Sequence, residues 1–292
     1  MKRFAITLFV AALAMTSATL TACTAPTGGP SAAATESVYD RVMRTGTIRC
    51  AYVVYPPGCI KDANTGKLSG IGIDTIELVA KNLGLKVQYA EEVGWGTMTE
   101  GLQTNRYDVV ASVAWVNANR ARVADFSHPL YYSPVLAYAK KDEHRFDGKL
   151  DILNSPSYKI ATIDGETANV IANEDYPLCK KVSLPQLSDL SQMLLTVSSG
   201  KADVTFVEKS VATDYLKHNP GAIVAIKSGP VRVFPNCWMF RRGQMELKDM
   251  LDSALDQVEN SGAVEKILRK YEAGQAPGTW YRVAPNYVVP KS

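Results

Sequence analysis

Residues 117–132 read NANRARVADFSHPLYY and place an arginine, Arg120, between two segments that favour β-structure. The preceding segment, YDVVASVA, and the following one, VLAYAKK, are rich in apolar, β-branched and aromatic residues, which are typical of strands. Arg120 is therefore predicted to lie in a connection between strands. A guanidinium group can bind a carboxylate there through two parallel hydrogen bonds, although the pattern alone also fits a surface arginine.

Strand-like and helix-like segments alternate on both sides of this stretch. Apolar β-branched runs predict the strands, and apolar residues spaced three or four apart predict the helices. The strands are 47–54, 85–90, 107–114, 135–141, 158–163, 180–184, 202–207, 222–226 and 237–240; the helices are 73–83, 95–105, 164–174, 187–197, 208–219 and 247–271, the last broken near Gly262. The alternation predicts an α/β fold, and a folded part from about Val38 to beyond residue 270 is long enough for two lobes.

The N-terminus has the architecture of an export signal. Lys2 and Arg3 precede an apolar run, and LTAC ends it at Cys23. This pattern predicts a signal peptide over residues 1–22 and resembles a bacterial lipobox, which would make Cys23 the lipid attachment site. Cleavage beside an incidental cysteine is the alternative. Residues 23–37 are rich in Ala, Thr, Pro, Gly and Ser and are predicted to form a flexible, lipidated tether on a membrane surface, in the periplasm or at the cell surface.

Charge and motifs exclude several classes of function. The chain has 32 basic and 29 acidic residues without a basic block, so nucleic-acid binding is not expected. Its three histidines show no H-x-x-H spacing, and no Cys-x-x-Cys, G-x-S-x-G or P-loop motif occurs. We therefore predict no metal and no cofactor.

Four cysteines remain besides Cys23: Cys50, Cys59, Cys179 and Cys237. An even number in an exported protein favours disulfides. The preferred pairing is Cys50–Cys59 with Cys179–Cys237, and buried free thiols are the alternative.

An ordered set of motifs runs from about Val38 to Tyr271. The set comprises GTIRCAYVVYPP (46–57), GKLSGIGIDTIELVAKNLG (66–84), Trp95 ahead of LQTNRYDVVAS (102–112), NANRARVADFSHPLYY (117–132), SSGKADVTFVEK (198–209) and the segment from CWMF to LRKY (237–271). Each motif alone is weak, but their order resembles the family-3 extracellular solute-binding proteins, which are polar amino-acid receptors of ABC importers.

The resemblance implies a periplasmic-binding-protein-like α/β fold with two lobes, two hinge strands and a ligand cleft between the lobes. Lobe 1 would comprise residues 38–132 and 235–292, and lobe 2 residues 133–234. The two crossings between the lobes would fall near Tyr131–Pro134 and Val231–Asn236.

The resemblance also implies a function and partners. The chain would be a monomeric receptor that captures an amino acid or a similar small zwitterion or carboxylate and delivers it to an ABC permease. Two alternatives stay open: a periplasmic dehydratase of the cyclohexadienyl type on the same scaffold, and a ligand-sensing lipoprotein.

Several site residues follow from the resemblance. Arg120 would bind the ligand carboxylate, Thr167 would add a donor at a helix start, and Glu208 would bind the ligand ammonium. Tyr55 and Trp95 would flank the ligand with aromatic rings.

Other positions depart from the family pattern. Val113 and Trp115 replace a small polar pair, so only backbone groups of Val113 can bond and Trp115 reshapes the pocket. Tyr52 stands where an aspartate would suit a cationic side chain, which favours a ligand with an uncharged side chain. Glu166, beside Thr167, is interpreted as an acid at a helix start, although it could also oppose an anionic ligand group.

Overall fold

A computed structural model of the chain describes residues 36–275 and 278–282. The predicted signal peptide, Cys23 and residues 23–35 of the predicted tether lie outside this range. Within it, no helix is both long and apolar enough to cross a membrane.

The described residues form α-helices and strands in alternation. The strands are β1 (Thr47–Tyr52), β2 (Ile60–Lys61), β3 (Leu68–Ser69), β4 (Lys86–Glu92), β5 (Val109–Trp115), β6 (Ala124–Phe126), β7 (Tyr131–Lys140), β8 (Lys159–Ile163), β9 (Lys180–Leu184), β10 (Val204–Glu208), β11 (Ile223–Ala225) and β12 (Arg232–Arg241). The helices are α1 (Val38–Thr45), α2 (Ile71–Asn82), α3 (Glu100–Gln103), α4 (Ala118–Ala121), α5 (Thr167–Glu174), α6 (Ser191–Ser198), α7 (Lys209–His218), α8 (Met245–Asn260) and α9 (Ala263–Glu272).

Ten strands share one sheet, whose main path runs β4-β1-β5-β12-β7-β10-β8-β9. Strands β4, β1 and β5 are parallel to one another, as are β10, β8 and β9. We call these groups, with their connecting segments, the first half and the second half. Parallel neighbours need a crossover connection, which the intervening helices supply. The α/β fold class predicted from the sequence is confirmed.

Strands β7 and β12 join the two halves. They pair antiparallel, with Tyr131 opposite Asn236 and Val135 opposite Arg232. A side-chain bond of 2.8 Å from Asn236 Nδ2 to Ser133 Oγ adds to the backbone ladder. The two segments predicted to cross between the lobes therefore lie side by side, while the lobe limits themselves stay a prediction.

Two predicted helices differ in extent. The segment 95–105 is helical only in α3, because residues 95–99, which include Gly96, form turns instead. The last predicted helix is divided into α8 and α9 at Gly262, whose φ of 74° is left-handed, so the predicted break is confirmed.

The cysteines correct one prediction. Cys50, Cys59, Cys179 and Cys237 are all buried free thiols, so the predicted disulfides are wrong and the alternative is confirmed. Cys237 lies in β12 and Cys179 immediately precedes β9, four strand positions away and thus separated by roughly 19 Å, whereas a disulfide needs Cα atoms within about 7 Å. Cys50 is held inside β1 between β4 and β5, and Cys59 is paired with Tyr55 in the following loop.

Candidate ligand-binding cleft

Arg120 is held at the boundary between the two halves. It lies in α4, where the side chain of Asn117 accepts a bond from its backbone N–H at 2.9 Å. Its guanidinium donates to the carbonyls of Trp115 at 3.1 Å, Trp95 at 3.4 Å and Gly165 at 3.2 Å. Gly165 belongs to the second half, so the guanidinium links both halves.

Burial leaves Arg120 charged but poorly solvated. Only 9 % of its surface is exposed, and burial lowers its pKa to about 10. Its hydrogen-bond partners are neutral carbonyls, and the nearby carboxyl of Glu166 acts on it only through its charge, since Arg120 forms no ion pair among the described residues. A desolvated cation with neutral partners favours an incoming anion, because charge-assisted hydrogen bonds are stronger than neutral ones.

Glu208 supplies the opposite charge from the second half. It ends β10, is buried, and accepts a bond from Trp115 Nε1 at 3.0 Å. Burial raises the pKa of Glu208 to about 7, although the hydrogen bond from Trp115 acts in the opposite direction. The carboxyl group therefore titrates near neutral pH and gains from a cationic partner.

Four aromatic rings form a continuous wall beside these two charges. Tyr55 meets Trp95 edge-on at 5.1 Å, Trp95 stacks on Trp115 at 6.1 Å, and Trp115 stacks on Phe234 at 5.3 Å. We call these four residues the aromatic wall. Phe234 is a member that the sequence did not predict, although its place in the predicted crossing segment was a signal.

Tyr55 is also connected to the crossing strands. Its hydroxyl donates to the carbonyl of Val113 at 3.2 Å, which is the backbone contact that remains at this substituted position. Tyr131 stands opposite Asn236 in β12, which stands opposite Trp115, and burial raises the pKa of the Tyr55 and Tyr131 phenols well above their usual range. Tyr131 is therefore a second residue of the cleft that the sequence placed only in a crossing.

The start of α5 faces Arg120 with an acid rather than with free N–H groups. Glu166 is the N-cap residue, and its Oε2 accepts a bond from the N–H of Ala168 at 2.6 Å. Thr167 is buried in the first turn and is not the cap. Burial raises the pKa of Glu166 to about 8, against the effect of these backbone N–H groups and of Arg120. Glu166 therefore lies at the helix start, as predicted, and caps α5.

The side chain of Tyr52 lies away from the other predicted site residues. Its ring meets Tyr89 edge-on at 6.1 Å, and Lys61 Nζ lies 5.8 Å from its centroid. The structure thus brings together the aromatic wall, Val113, Arg120, Glu208 and the start of α5, and it places Tyr52 beside Tyr89 instead.

Two cavities adjoin this assembly, and both have walls from both halves. One, of about 360 Å³, is lined by Trp95, Arg120, Gly165 and Asn169, among others. The other, of about 450 Å³, lies on the side of Tyr55 that faces α6 and α7. Arg120 and two rings of the aromatic wall line these spaces, and Glu208 is bound to the wall through Trp115, so the assembly has the features of a site for a small polar ligand.

The fold, with its two α/β halves, is that of a solute-binding protein. The sequence model of the bacterial extracellular solute-binding proteins, family 3, matches residues 48–274. The chain belongs to that family.

Individual relatives agree with this assignment. The chain is 28% identical over 219 residues to the L-cystine-binding protein TcyA of Bacillus subtilis (strain 168), covering 74% of this chain and 77% of that protein. It is 26% identical over 232 residues to a probable amino-acid ABC transporter-binding protein of Haemophilus influenzae, covering 79% and 86%. Among solved structures, the ancestral amino acid-binding protein AncCDT-1, a precursor of cyclohexadienyl dehydratase, has 29% sequence identity and a TM-score of 0.70, covering 80% of this chain and 99% of that chain.

Proposed function

We propose that the chain is the receptor of an ABC importer and that it binds an amino acid, or a close derivative, through both of its charged groups. The observation that carries this proposal is the double role of Trp115. Its carbonyl accepts from Arg120 at 3.1 Å and its indole donates to Glu208 at 3.0 Å, so a buried cation and a buried acid lie at the two ends of one residue. A zwitterion presents the complementary pair of charges.

The remaining surroundings favour an uncharged ligand side chain. The aromatic wall and the neighbouring Val207 and Ile163 are apolar and buried or partly buried. Burying a methylene group there gains roughly 0.8 kcal/mol, whereas burying an unpaired charge costs far more. The relatives reported above support an amino acid as the ligand, since they are binding proteins for L-cystine or for amino acids, whereas the uncharged side chain is argued from the apolar surroundings alone.

The proposal extends to residues and location. Tyr55, Trp95, Val113, Trp115 and Thr167 would line the ligand, and Tyr52 would act only at the margin. The mature protein would be an exported monomer, anchored through Cys23 and tethered by residues 23–37. Cys23→Ala should then release the protein from membranes, and absence of labelled fatty acid from the wild-type protein would refute the anchor.

A dehydratase is the second candidate. Glu208 has a pKa of about 7 in a buried site, which suits a general acid, and AncCDT-1 is described as a precursor of such an enzyme. The same residues also serve simple binding, so the receptor remains the primary proposal.

One experiment separates the candidates. Purified protein is screened by thermal shift against the proteinogenic L-amino acids, L-cystine, arogenate and prephenate, because a ligand of the folded state raises its stability. Stabilisation by an amino acid that is recovered unchanged supports the receptor. Conversion of arogenate or prephenate, lost in Glu208→Gln, supports the enzyme, and no response to any amino acid refutes the primary proposal.

A further inference from the structure

The described residues at the C-terminal end, Gly278–Arg282, lie beyond α9 and beyond the family match, which stops at residue 274. We call them the C-terminal strap. They return to the start of β7, where Tyr281 and Tyr132 form an antiparallel bridge with both backbone bonds at 2.8 Å. The strap thus extends the sheet at one of the two crossing strands.

The register explains why this place accepts an added strand. Tyr132 stands opposite Pro235 in β12, but its N–H and C=O both point away from β12, because a strand residue of an antiparallel pair directs both groups to the same side. On its other side, β7 pairs with β10 only from Val135 onward. The backbone groups of Tyr132 are therefore satisfied by Tyr281 rather than by either neighbouring strand.

A chain of contacts leads from the strap to the cleft. Trp280 is 3% exposed and meets the Tyr131 ring edge-on at 6.1 Å. Tyr131 stands opposite Asn236 of β12, which in turn stands opposite Trp115 of the aromatic wall. Besides burial, the charge of Glu208 also acts on Tyr131 and on Tyr55 and contributes to raising the pKa of both phenols. A displacement of Trp280 would thus move Tyr131 and change the shape of the cleft.

Ion pairs fix the strap to α9. Arg282 donates to both oxygens of Glu272 at 2.6 and 2.7 Å and to Glu265 at 2.9 Å. Just before the strap, Gln275 donates to Asp214 of α7 at 3.0 Å, so the described residues beyond α9 contact both α7 and α9.

We propose that the C-terminal strap is a positioning element of the ligand cleft, which holds β7 and Tyr131 in place and thereby strengthens ligand binding. Tyr131 and Tyr55 act on the ligand directly, and Trp280 acts through Tyr131. Pre-organising a site in this way improves affinity, because fewer side chains and backbone segments lose conformational freedom when the ligand binds. The affinity part of this proposal rests on the proposed function, whereas the effect on β7 does not.

Three variants test the strap. Trp280→Ala removes the ring that supports Tyr131, Trp280→Phe keeps an aromatic contact, and Arg282→Ala removes the ion pairs to α9. Arg269→Ala is the matched control, because Arg269 is exposed and also pairs with Glu265.

The first measurement needs no ligand. Hydrogen exchange should show loss of protection at the Tyr132 amide in Trp280→Ala and Arg282→Ala, with wild-type protection in Trp280→Phe and Arg269→Ala. The second is calorimetry with the amino acid that gives the largest thermal shift in the panel above. Trp280→Ala should weaken Kd by about tenfold, and Trp280→Phe should restore most of it.

Each result decides something. If the Tyr132 amide is as protected from exchange in Trp280→Ala and in Arg282→Ala as in the wild-type protein, the strap does not hold β7 and the proposal is refuted. If Trp280→Ala lowers the protection of the Tyr132 amide but binds the ligand with the wild-type Kd, the strap plays no role in ligand binding. If the wild-type protein binds no amino acid of the panel, the proposed function fails, and the exchange data still decide whether the strap holds β7.

Discussion

The indole Nε1 of Trp115 donates to Oε1 of Glu208 at 3.0 Å and joins the end of β5 to the end of β10. Trp115 thereby connects the first half of the molecule to the acid that would bind a ligand ammonium. The bond also lowers the pKa of Glu208 against the effect of burial. The bulky residue at this position is therefore part of the electrostatics of the cleft and not only of its shape.

Trp115→Phe should destabilise the protein while keeping the aromatic wall. Phenylalanine can still stack between Trp95 and Phe234, but it leaves the buried carboxyl of Glu208 without one donor. Loss of one partner of a buried hydrogen bond costs about 1–3 kcal/mol. Urea unfolding should show a lower free energy of unfolding by that amount, and an unchanged value would show that the bond contributes nothing.

Arg120→Ala should weaken ligand binding by about 2–4 kcal/mol, because it leaves the ligand carboxylate without its charged partner in the cleft. Arg120→Lys should recover only part of this, since lysine cannot form two parallel bonds. Arg122→Ala is the control, because Arg122 is exposed two residues away. Calorimetry that gives equal losses for Arg120→Ala and Arg122→Ala would remove Arg120 from the site.

The α/β architecture could be predicted because it depends on local patterns. The apolar runs at Thr47–Tyr52 and Val204–Glu208 form strands β1 and β10, and the order of motifs indicated the two segments that pair as β7 and β12. The segment 95–105 was less predictable, because apolar spacing indicates a helix there while its glycines favour turns.

Long-range partners could not be predicted in the same way. The disulfide prediction failed because strand order, and not distance along the chain, separates Cys237 from Cys179. Phe234 and Tyr131 enter the cleft because β7 and β12 pair in one particular register, which no local pattern specifies. The bond from Trp115 to Glu208 joins residues 93 positions apart and depends on both halves meeting.

The cysteines should behave as protected thiols. Burial raises the pKa of Cys59 and Cys237 to about 12 and of Cys179 to about 11, which keeps them as unreactive thiols in the folded protein. In a Cys23→Ala variant, a thiol reagent should react slowly before unfolding and should then titrate four thiols without any reductant. Fewer than four thiols, restored to four by a reductant, would indicate a disulfide.

Glu166 should make stability fall as pH rises. Its folded pKa of about 8 exceeds its ordinary value of 4.5, so the folded state holds the proton more tightly than the unfolded state. The resulting stabilisation is fully present below about pH 4.5 and is lost as pH rises through about 8. Glu166→Gln keeps an oxygen that can cap α5 but does not titrate.

Urea unfolding across this pH range tests whether Glu166 makes stability fall as pH rises. The stability of the wild-type protein relative to Glu166→Gln should decrease steadily with rising pH. Glu174→Gln, an exposed change at the other end of α5, is the control. A pH-independent difference for Glu166→Gln would show that Glu166 does not titrate as its burial indicates.

Ligand affinity should rise with pH through about 7, because an ammonium binds ionised Glu208 more strongly than the protonated acid. Below that value, binding must displace a proton from Glu208, so calorimetry in buffers of different ionisation enthalpy should detect proton release. Glu208→Gln should bind more weakly and lose this pH dependence, whereas Trp115→Phe should move it to higher pH, since the indole bond lowers the pKa of Glu208. The ligand for this test is an amino acid that Arg120→Ala fails to bind. If the wild-type protein binds it with equal affinity at pH 5 and pH 8, Glu208 does not contact the ammonium.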